Sequence, residues 1–300
     1  MRKHTLDSPV SYYAIFLAVR YLPYRISCLL GKIVVLLVYA FSRKDRENLA
    51  DNLSIALGKP HNDCSIRRTV RQTYVNYGQY MVDFFLIPQL PAHKVRTFVS
   101  EIRGETILER SLANGKGVIL LSAHIGNWEI GGTILRLLNY PLSVVAMPHN
   151  TKATNALVNH LRQDRGIKVI EMTLHSPFSG LEIMGILREN GIVAMIGDKD
   201  FFGTGRTTVF FNRRISFPVG PVVMAMKSGA ALIPSFVIRK SDGKYLGILE
   251  EPVPLDTGSN WKNHIDGNIE KTARIFEKYI RRYPSQWYCP DPIAGKETAG

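Results

Sequence analysis

Residues 118–138 read VILLSAHIGNWEIGGTILRLL. Val118 to Leu121 form a short continuous apolar run, the pattern of a strand buried on both faces. Ala123 and His124 fall at its carboxyl end, and Gly126 supplies a tight turn. Asn127 is a good helix N-cap, which puts Trp128 and Glu129 in a first helical turn where the helix dipole favours a carboxylate. A strand, a glycine turn and a helix make one βα unit. In open parallel sheets active groups collect at the carboxyl ends of strands, so the histidine and the acid stand where chemistry is expected.

The same alternation continues on the C-terminal side. Strands are predicted at 142–147, 168–172, 191–198, 231–239 and 245–253, and helices at 153–165, 180–190, 219–229 and 268–284. Upstream, residues 45–90 read as helical, with Ile66, Val70, Thr73, Tyr74, Tyr77 and Met81 forming one apolar stripe that Pro88 and Pro91 end. The fold class is therefore α/β, a mainly parallel central sheet flanked by helices.

The first forty residues differ. The stretch 10–41, VSYYAIFLAVRYLPYRISCLLGKIVVLLVYAF, is apolar and aromatic but is broken by Arg20, Pro23, Arg25 and Lys32. A spanning helix wants about twenty apolar residues; the best run, Ile26 to Phe41, is shorter. No small-residue cleavage site follows it, so a removable signal peptide is not expected. Tyr12, Tyr13, Tyr21 and Tyr24 suit a water–lipid boundary, and Arg43, Lys44 and Arg46 follow. Residues 1–42 are predicted to be a membrane-anchoring hydrophobic segment, either one short span or a helical pair lying in one leaflet, and 43–300 the main domain. A buried N-terminal helical hairpin is the competing reading.

Three hundred residues with 45% apolar and 21% charged side chains make a folded chain with a substantial core. The formal net charge of +13 favours an anionic partner. The basic residues are spread along the chain with no zinc-finger or RNP1 pattern, so an anionic membrane surface or an acidic substrate is expected and nucleic acid is not. Cys28, Cys64 and Cys289 lie far apart, as isolated reduced thiols would.

A turn through Gly126 can fold His124 back over Glu129. The glutamate then accepts from one ring nitrogen, fixes the tautomer and leaves the other nitrogen to take a proton. No serine or cysteine nucleophile has an obvious place here, and the G-x-S-x-G elbow is absent. A histidine so oriented can deprotonate an incoming hydroxyl, which then attacks an acyl carbonyl directly. From spacing alone a structural histidine is the commoner case. The spacing lacks the H-E-x-x-H geometry of a metal site, so no metal is expected.

At residues 124–129, HIGNWE resembles the H-x-x-x-x-(D/E) signature of glycerolipid acyltransferases, and its Gly-Asn-Trp-Glu form is similar to the bacterial lipid A biosynthesis (lauroyl/myristoyl) acyltransferase family. The similarity extends over most of the chain: NGIVAMIGDKDF (190–201) resembles the family's strand followed by D-Q-D, residues 209–239 its Phe-Phe-Gly, Gly-Pro and Ile-Pro run, and YPSQWY (283–288) its Pro-x-Gln-Trp. Three departures stand out: Lys199 in place of the glutamine, Asn212 in place of the glycine, and YCPDPIAGKETAG (288–300) where the family continues Trp-x-x-x-Arg-Trp.

The resemblance implies a membrane-associated O-acyltransferase at the cytoplasmic face of the inner membrane. It would move a fatty acyl chain from acyl carrier protein or coenzyme A, as co-substrate rather than cofactor, to a hydroxyl of a lipid A-type precursor. Because of the departures, a phosphatidylinositol mannoside or a lysophospholipid remains an alternative acceptor. His124 is then the general base and Glu129 its orienting acid. Asn127 caps the helix or helps position the pair. The resemblance carries a functional arginine onto the helix before Gly166, where Arg162 is a better positional match than Arg165, suited to clamping phosphate. It also assigns Asp198 to the site, binding an acceptor hydroxyl or holding an arginine. Arg206 sits in a glycine-containing loop able to approach a headgroup, and Gly220 and Pro221 open a helix whose amides can face an anion. Helices 131–138 and 221–229 offer apolar faces for the acyl chain. Two other functions compete: a non-catalytic lipid-binding protein, and a hydrolase in which His124 activates water.

Overall fold

The computed structural model describes residues 9–149, 151–173 and 178–293. Residues 1–8 of the predicted anchor segment and 294–300 of the departing C-terminal tail lie outside the described residues.

The chain opens with helix α1 (Pro9–Tyr21), turns at Pro23, and continues as α2 (Tyr24–Phe41). Residues 45–90 do not form one helix. They divide into α3 (Arg43–Leu57) and α4 (Cys64–Leu86), because Gly58 takes a left-handed φ of 63° that caps α3 and Asp63 restarts the chain by accepting from the Ser65 amide at 2.6 Å. The predicted stripe is real: Ile66, Val70, Thr73, Tyr74 and Met81 are buried on one face of α4. Helix α2 runs antiparallel to α4 and crosses it where Gly31 and Gly78 face each other. A Cβ on Gly78 would lie 3.0 Å from the Gly31 carbonyl oxygen.

Then follow α5 (Ala92–Thr97), β1 (Val99–Arg103), α6 (Glu105–Ala113), β2 (Val118–Ser122), α7 (Trp128–Leu137), β3 (Leu142–Ala146), α8 (Lys152–Gln163), β4 (Lys168–Glu171), α9 (Phe178–Arg188) and β5 (Ile192–Ile196). The hairpin β6 (Arg206–Phe210) and β7 (Arg213–Phe217) precedes α10 (Gly220–Ser228), β8 (Ala231–Arg239), β9 (Tyr245–Leu249) and α11 (Ile265–Arg282). Among the described residues seven strands form one sheet in the order β1-β9-β8-β2-β5-β3-β4, and only the β8–β9 pairing is antiparallel. The mainly parallel α/β class stands.

The opening strand, β2, lies near the middle of the sheet, and all five of its residues are buried. Each fully buried Val, Leu or Ile side chain stabilises the fold by about 1.5–3 kcal/mol, so the sheet is anchored by the strand that carries the histidine. Beyond β2 the chain reverses through Gly126, whose φ is 69°. The Gly126 amide donates to the Gln286 carbonyl at 2.9 Å and the Asn127 amide to the Val237 carbonyl at 2.8 Å.

A Cβ on Gly126 would lie 1.9 Å from the Val237 carbonyl oxygen, whereas one on Gly58 meets nothing within 4 Å. Both positions carry the left-handed penalty of about 1–2 kcal/mol, but only Gly126 adds a backbone collision. Gly58→Ala is expected to cost about 1–2 kcal/mol, and Gly126→Ala more than about 3 kcal/mol. Paired urea denaturation curves check this, and equal costs would refute a backbone contact at the turn.

Candidate active site

Strands β2 and β5 are parallel neighbours in register, with Ser122 opposite Ile196. Two residues beyond each lie His124 and Asp198, so the register alone brings them together at the carboxyl edge of the sheet. His124 Nδ1 is 2.6 Å from Asp198 Oδ1, and the His124 backbone N–H donates to Asp198 Oδ2 at 3.1 Å. The Trp287 indole N–H donates to the same Oδ2 at 3.1 Å. The Asp198 side chain has no exposed surface, and that of His124 is 20% exposed. Burial disfavours the charged form of Asp198, but the charge and hydrogen bonds of His124, together with the Lys199 charge, outweigh it. They hold the carboxyl at about 2, below its ordinary 3.8. An ionised carboxylate facing Nδ1 selects the tautomer with its proton there and leaves Nε2 as the basic nitrogen. The ring is packed edge-on between Trp128 (5.3 Å) and Phe201 (5.9 Å).

This differs from the expected His124–Glu129 pair. Glu129 does not bond to either ring nitrogen. Its carboxylate is gripped at both oxygens by Arg162, from Nε at 3.1 Å and the terminal nitrogen at 2.5 Å, with both side chains about nine-tenths buried. As the first helical turn of α7 begins only at Trp128, the turn points the Glu129 side chain toward α8 instead of back over the imidazole. Asp198 in turn is not holding an arginine. Both of its oxygens are committed to His124 and Trp287.

Asn127 is 1% exposed. Its side chain accepts from the Ile130 amide at 3.3 Å and donates to the Tyr245 hydroxyl at 3.4 Å, so it serves as the α7 cap. Of the two candidate arginines, Arg165 is tethered to the Leu90 carbonyl and only Arg162 reaches Glu129. Arg206 stands on β6, 3.9 Å from Asp266 and more than half exposed, outside the cavity described below.

Two functional features escaped the sequence reading of individual residues. Trp287 is completely buried and arrives on the segment after α11. Its neighbour Tyr288 donates its amide to the His124 carbonyl at 3.1 Å, so the C-terminal segment clamps the turn that carries His124. Its only signal was the Pro-Ser-Gln-Trp string. Asp200 fastens the loop after β5 by accepting from the amides of Phe202, Thr204 and Gly205 and from the Ser216 hydroxyl. Lys199, between the two aspartates, pairs with Asp291 at 3.0 Å.

His124, Glu129, Arg162, Asp198 and Lys199 line one cavity of about 960 Å³. Away from that polar end its wall is apolar. Leu120, Val144 and Ala194 come from alternate positions on one face of the sheet, while Gly131, Gly132 and Leu135 of α7 lie across from them. The N-terminal end of α10, Gly220, Pro221 and Met224, lines it too. Both helix faces expected to border an acyl slot therefore do border the cavity. Its size matches sites that take one medium-sized ligand.

An imidazole held by a buried carboxylate stands at one end of a largely apolar cavity, on the carboxyl edge of a mainly parallel sheet. The chain belongs to the bacterial lipid A biosynthesis acyltransferase family, whose model matches residues 3–289, and is thus an acyltransferase. It is 26% identical over 257 residues to the phosphatidylinositol mannoside acyltransferase of Mycolicibacterium smegmatis, covering 85% of this chain and 81% of that one. With the lipid A biosynthesis palmitoleoyltransferase of Escherichia coli it shares 25% identity over 271 residues, 89% of this chain and 84% of the other.

Proposed function

We propose that this acyltransferase moves a fatty acyl chain from an acyl thioester, on acyl carrier protein or coenzyme A, to a hydroxyl of a membrane glycolipid. The observation that carries this reading is the Asp198-held imidazole at the polar end of the apolar cavity. Nε2 of His124 takes the proton of the acceptor hydroxyl as its oxygen attacks the thioester carbonyl carbon. The tetrahedral intermediate collapses with cleavage of the C–S bond, and the leaving thiolate receives the proton from the imidazolium. No acyl-enzyme is required. Glu129 and Arg162 hold the acceptor end of the site, and the acyl chain lies along the sheet face under α7. The acceptor is a lipid A-type precursor. A phosphatidylinositol mannoside is the second reading, favoured by the mycobacterial relatives and by the departures at Lys199 and Asn212.

We place the described part of the anchor segment, residues 9–42, at the cytoplasmic face of the inner membrane, lying in one leaflet. Helix α2 has 18 residues, about 27 Å at 1.5 Å per residue and so near the hydrocarbon thickness. Its inner face packs along the 74–83 stretch of α4, which carries Gln79 and the buried Asp83 and is built into the domain core. A spanning α2 would pull those residues into the bilayer. Lying flat, the α1–α2 pair offers Leu17, Tyr21, Leu29, Leu37 and Phe41, all exposed, to the acyl region.

The test is ester formation by the purified full chain on vesicles, with each acyl thioester and each acceptor class, read by lipid mass spectrometry. A new acyl ester that requires His124 supports the reading. Free fatty acid released at the same rate with saturating acceptor points to a hydrolase. Lipid binding indifferent to His124, with no turnover, points to a binding protein.

A further inference from the structure

Asp83, on α4, has no exposed surface and lies outside the cavity, yet it is the meeting point of three elements. Its Oδ1 accepts from the Tyr24 hydroxyl of α2 at 3.0 Å and from the Gln79 amide at 2.9 Å. Its Oδ2 accepts from the Tyr245 hydroxyl of β9 at 2.5 Å, with Arg239 Nε 3.9 Å away. The Tyr245 oxygen in turn accepts from the Asn127 side-chain amide at 3.4 Å, and Asn127 is the cap of the turn that carries His124.

We propose that Asp83 is a positioning residue that ties the α1–α2 hairpin to the catalytic turn, so that how the hairpin is seated sets the geometry at Asn127 and His124. The proposal rests on the acyl-transfer reading only for its kinetic consequence. A carboxylate withdrawn from water is tolerated when donors occupy its oxygens, and loss of one donor exposes the desolvation cost of the others' partner. Tyr24, Asp83, Tyr245 and Asn127 are therefore held in one arrangement, and a shift of Tyr24 is passed to Tyr245 and then to Asn127.

Gly31 and Gly78 bring the α2 and α4 backbones together, and in this proposal that close crossing is the fulcrum of the hairpin. Tyr24 lies seven residues away along α2, a lever of roughly 10 Å. The outer face of the same hairpin is the exposed apolar surface of Tyr13, Leu17, Tyr21, Leu29 and Leu37, so any surface that takes up those side chains loads the lever. Apolar packing alone holds a helix without fixing a hydroxyl. The polar contact at Tyr24 is what makes the seating directional.

Tyr24→Phe removes one O–H and keeps the ring. In the full chain on anionic phospholipid vesicles, hydrogen–deuterium exchange of the amides in 124–130 is expected to quicken by about fivefold or more, with the thermal midpoint little changed. In the same sample kcat falls several-fold while KM for the acyl thioester holds. Exchange at 124–130 equal to wild type overturns the proposal, whatever happens to stability. If Tyr24→Phe does not fold, Tyr245→Phe opens the chain from the other side. It must quicken exchange both at 124–130 and at 24–31, and protection retained at 24–31 overturns the coupling. Should the wild-type chain form no acyl ester, the reading of function fails on its own and the exchange data still decide this proposal.

Discussion

Asparagine in place of Asp198 is expected to lower kcat by about 10²–10⁴, close to the loss caused by His124→Ala. The amide is nearly isosteric, and its oxygen can still accept from the Trp287 indole, so the fold has little reason to change. What is lost is the negative charge against Nδ1. Without it the tautomer with the proton on Nδ1 is no longer enforced, and the imidazolium formed as the acceptor hydroxyl is deprotonated has no counter-charge in a buried site. Because the two side chains act as a unit, the double variant should be no worse than either single one.

The pH behaviour gives an independent check. The Asp198 carboxyl titrates at about 2 in the folded chain, below its ordinary 3.8. Its contribution to stability is therefore complete above 3.8 and is lost as pH falls through about 2. Between pH 5 and pH 9 it is ionised throughout, so the Asp198→Asn deficit persists at neutral pH and any change in it across that range reflects the imidazole rather than titration of Asp198. Rates of thiol release at saturating donor settle the matter. A deficit under tenfold at neutral pH, with Glu129→Gln far more damaging, would restore Glu129 as the orienting acid.

There is a physical reason that the sequence pointed to Glu129 while the structure sets Asp198 against the ring. Glu129 is near His124 in the chain, and local geometry permits contact. Asp198 is near only through pairing of β2 with β5, which the chain interleaves with two other strands. Strand ends are legible from apolar runs; which strands lie side by side is not. The Val118–Leu121 run, the Asn127 cap and the Asp198 strand end were each readable, and joining them needed the sheet order. Glu129 and Arg162 pose the same problem across α7 and α8.

Elements whose burial leaves little pattern were lost altogether. Strand β1, at a sheet edge, exposes Ser100, Glu101 and Arg103 and only partly buries Val99 and Ile102, too polar to register as a strand. The β6–β7 hairpin turns at Phe211 and Asn212, both at positive φ, without the glycine that marks such turns. In contrast, β8 was legible to the residue, because all of its nine residues except Ser235 and Arg239 are apolar.

Glu129→Ala is expected to destabilise the chain by about 3–5 kcal/mol, because it leaves the Arg162 guanidinium buried without its bidentate partner. Loss of activity in that variant alone would therefore say little about chemistry. The informative protein is Glu129→Leu with Arg162→Met, since replacing both members of a buried ion pair by apolar side chains of similar volume is often neutral for stability. If the pair only braces α7 against α8, this double variant recovers stability and turnover together. The position of both side chains on the cavity wall, at its polar end, argues otherwise. An acceptor headgroup bears hydroxyls and phosphate, and removing the charged groups that meet them leaves those groups desolvated without partners. The double variant is expected to unfold at the wild-type urea midpoint within error, while kcat/KM for the acceptor falls by about 10²-fold or more and KM for the acyl thioester stays put. A split of that kind assigns the pair to the acceptor and His124–Asp198 to proton transfer. Restored turnover would reduce Glu129 and Arg162 to a brace, and would leave the alcohol held by the imidazole and the apolar wall alone.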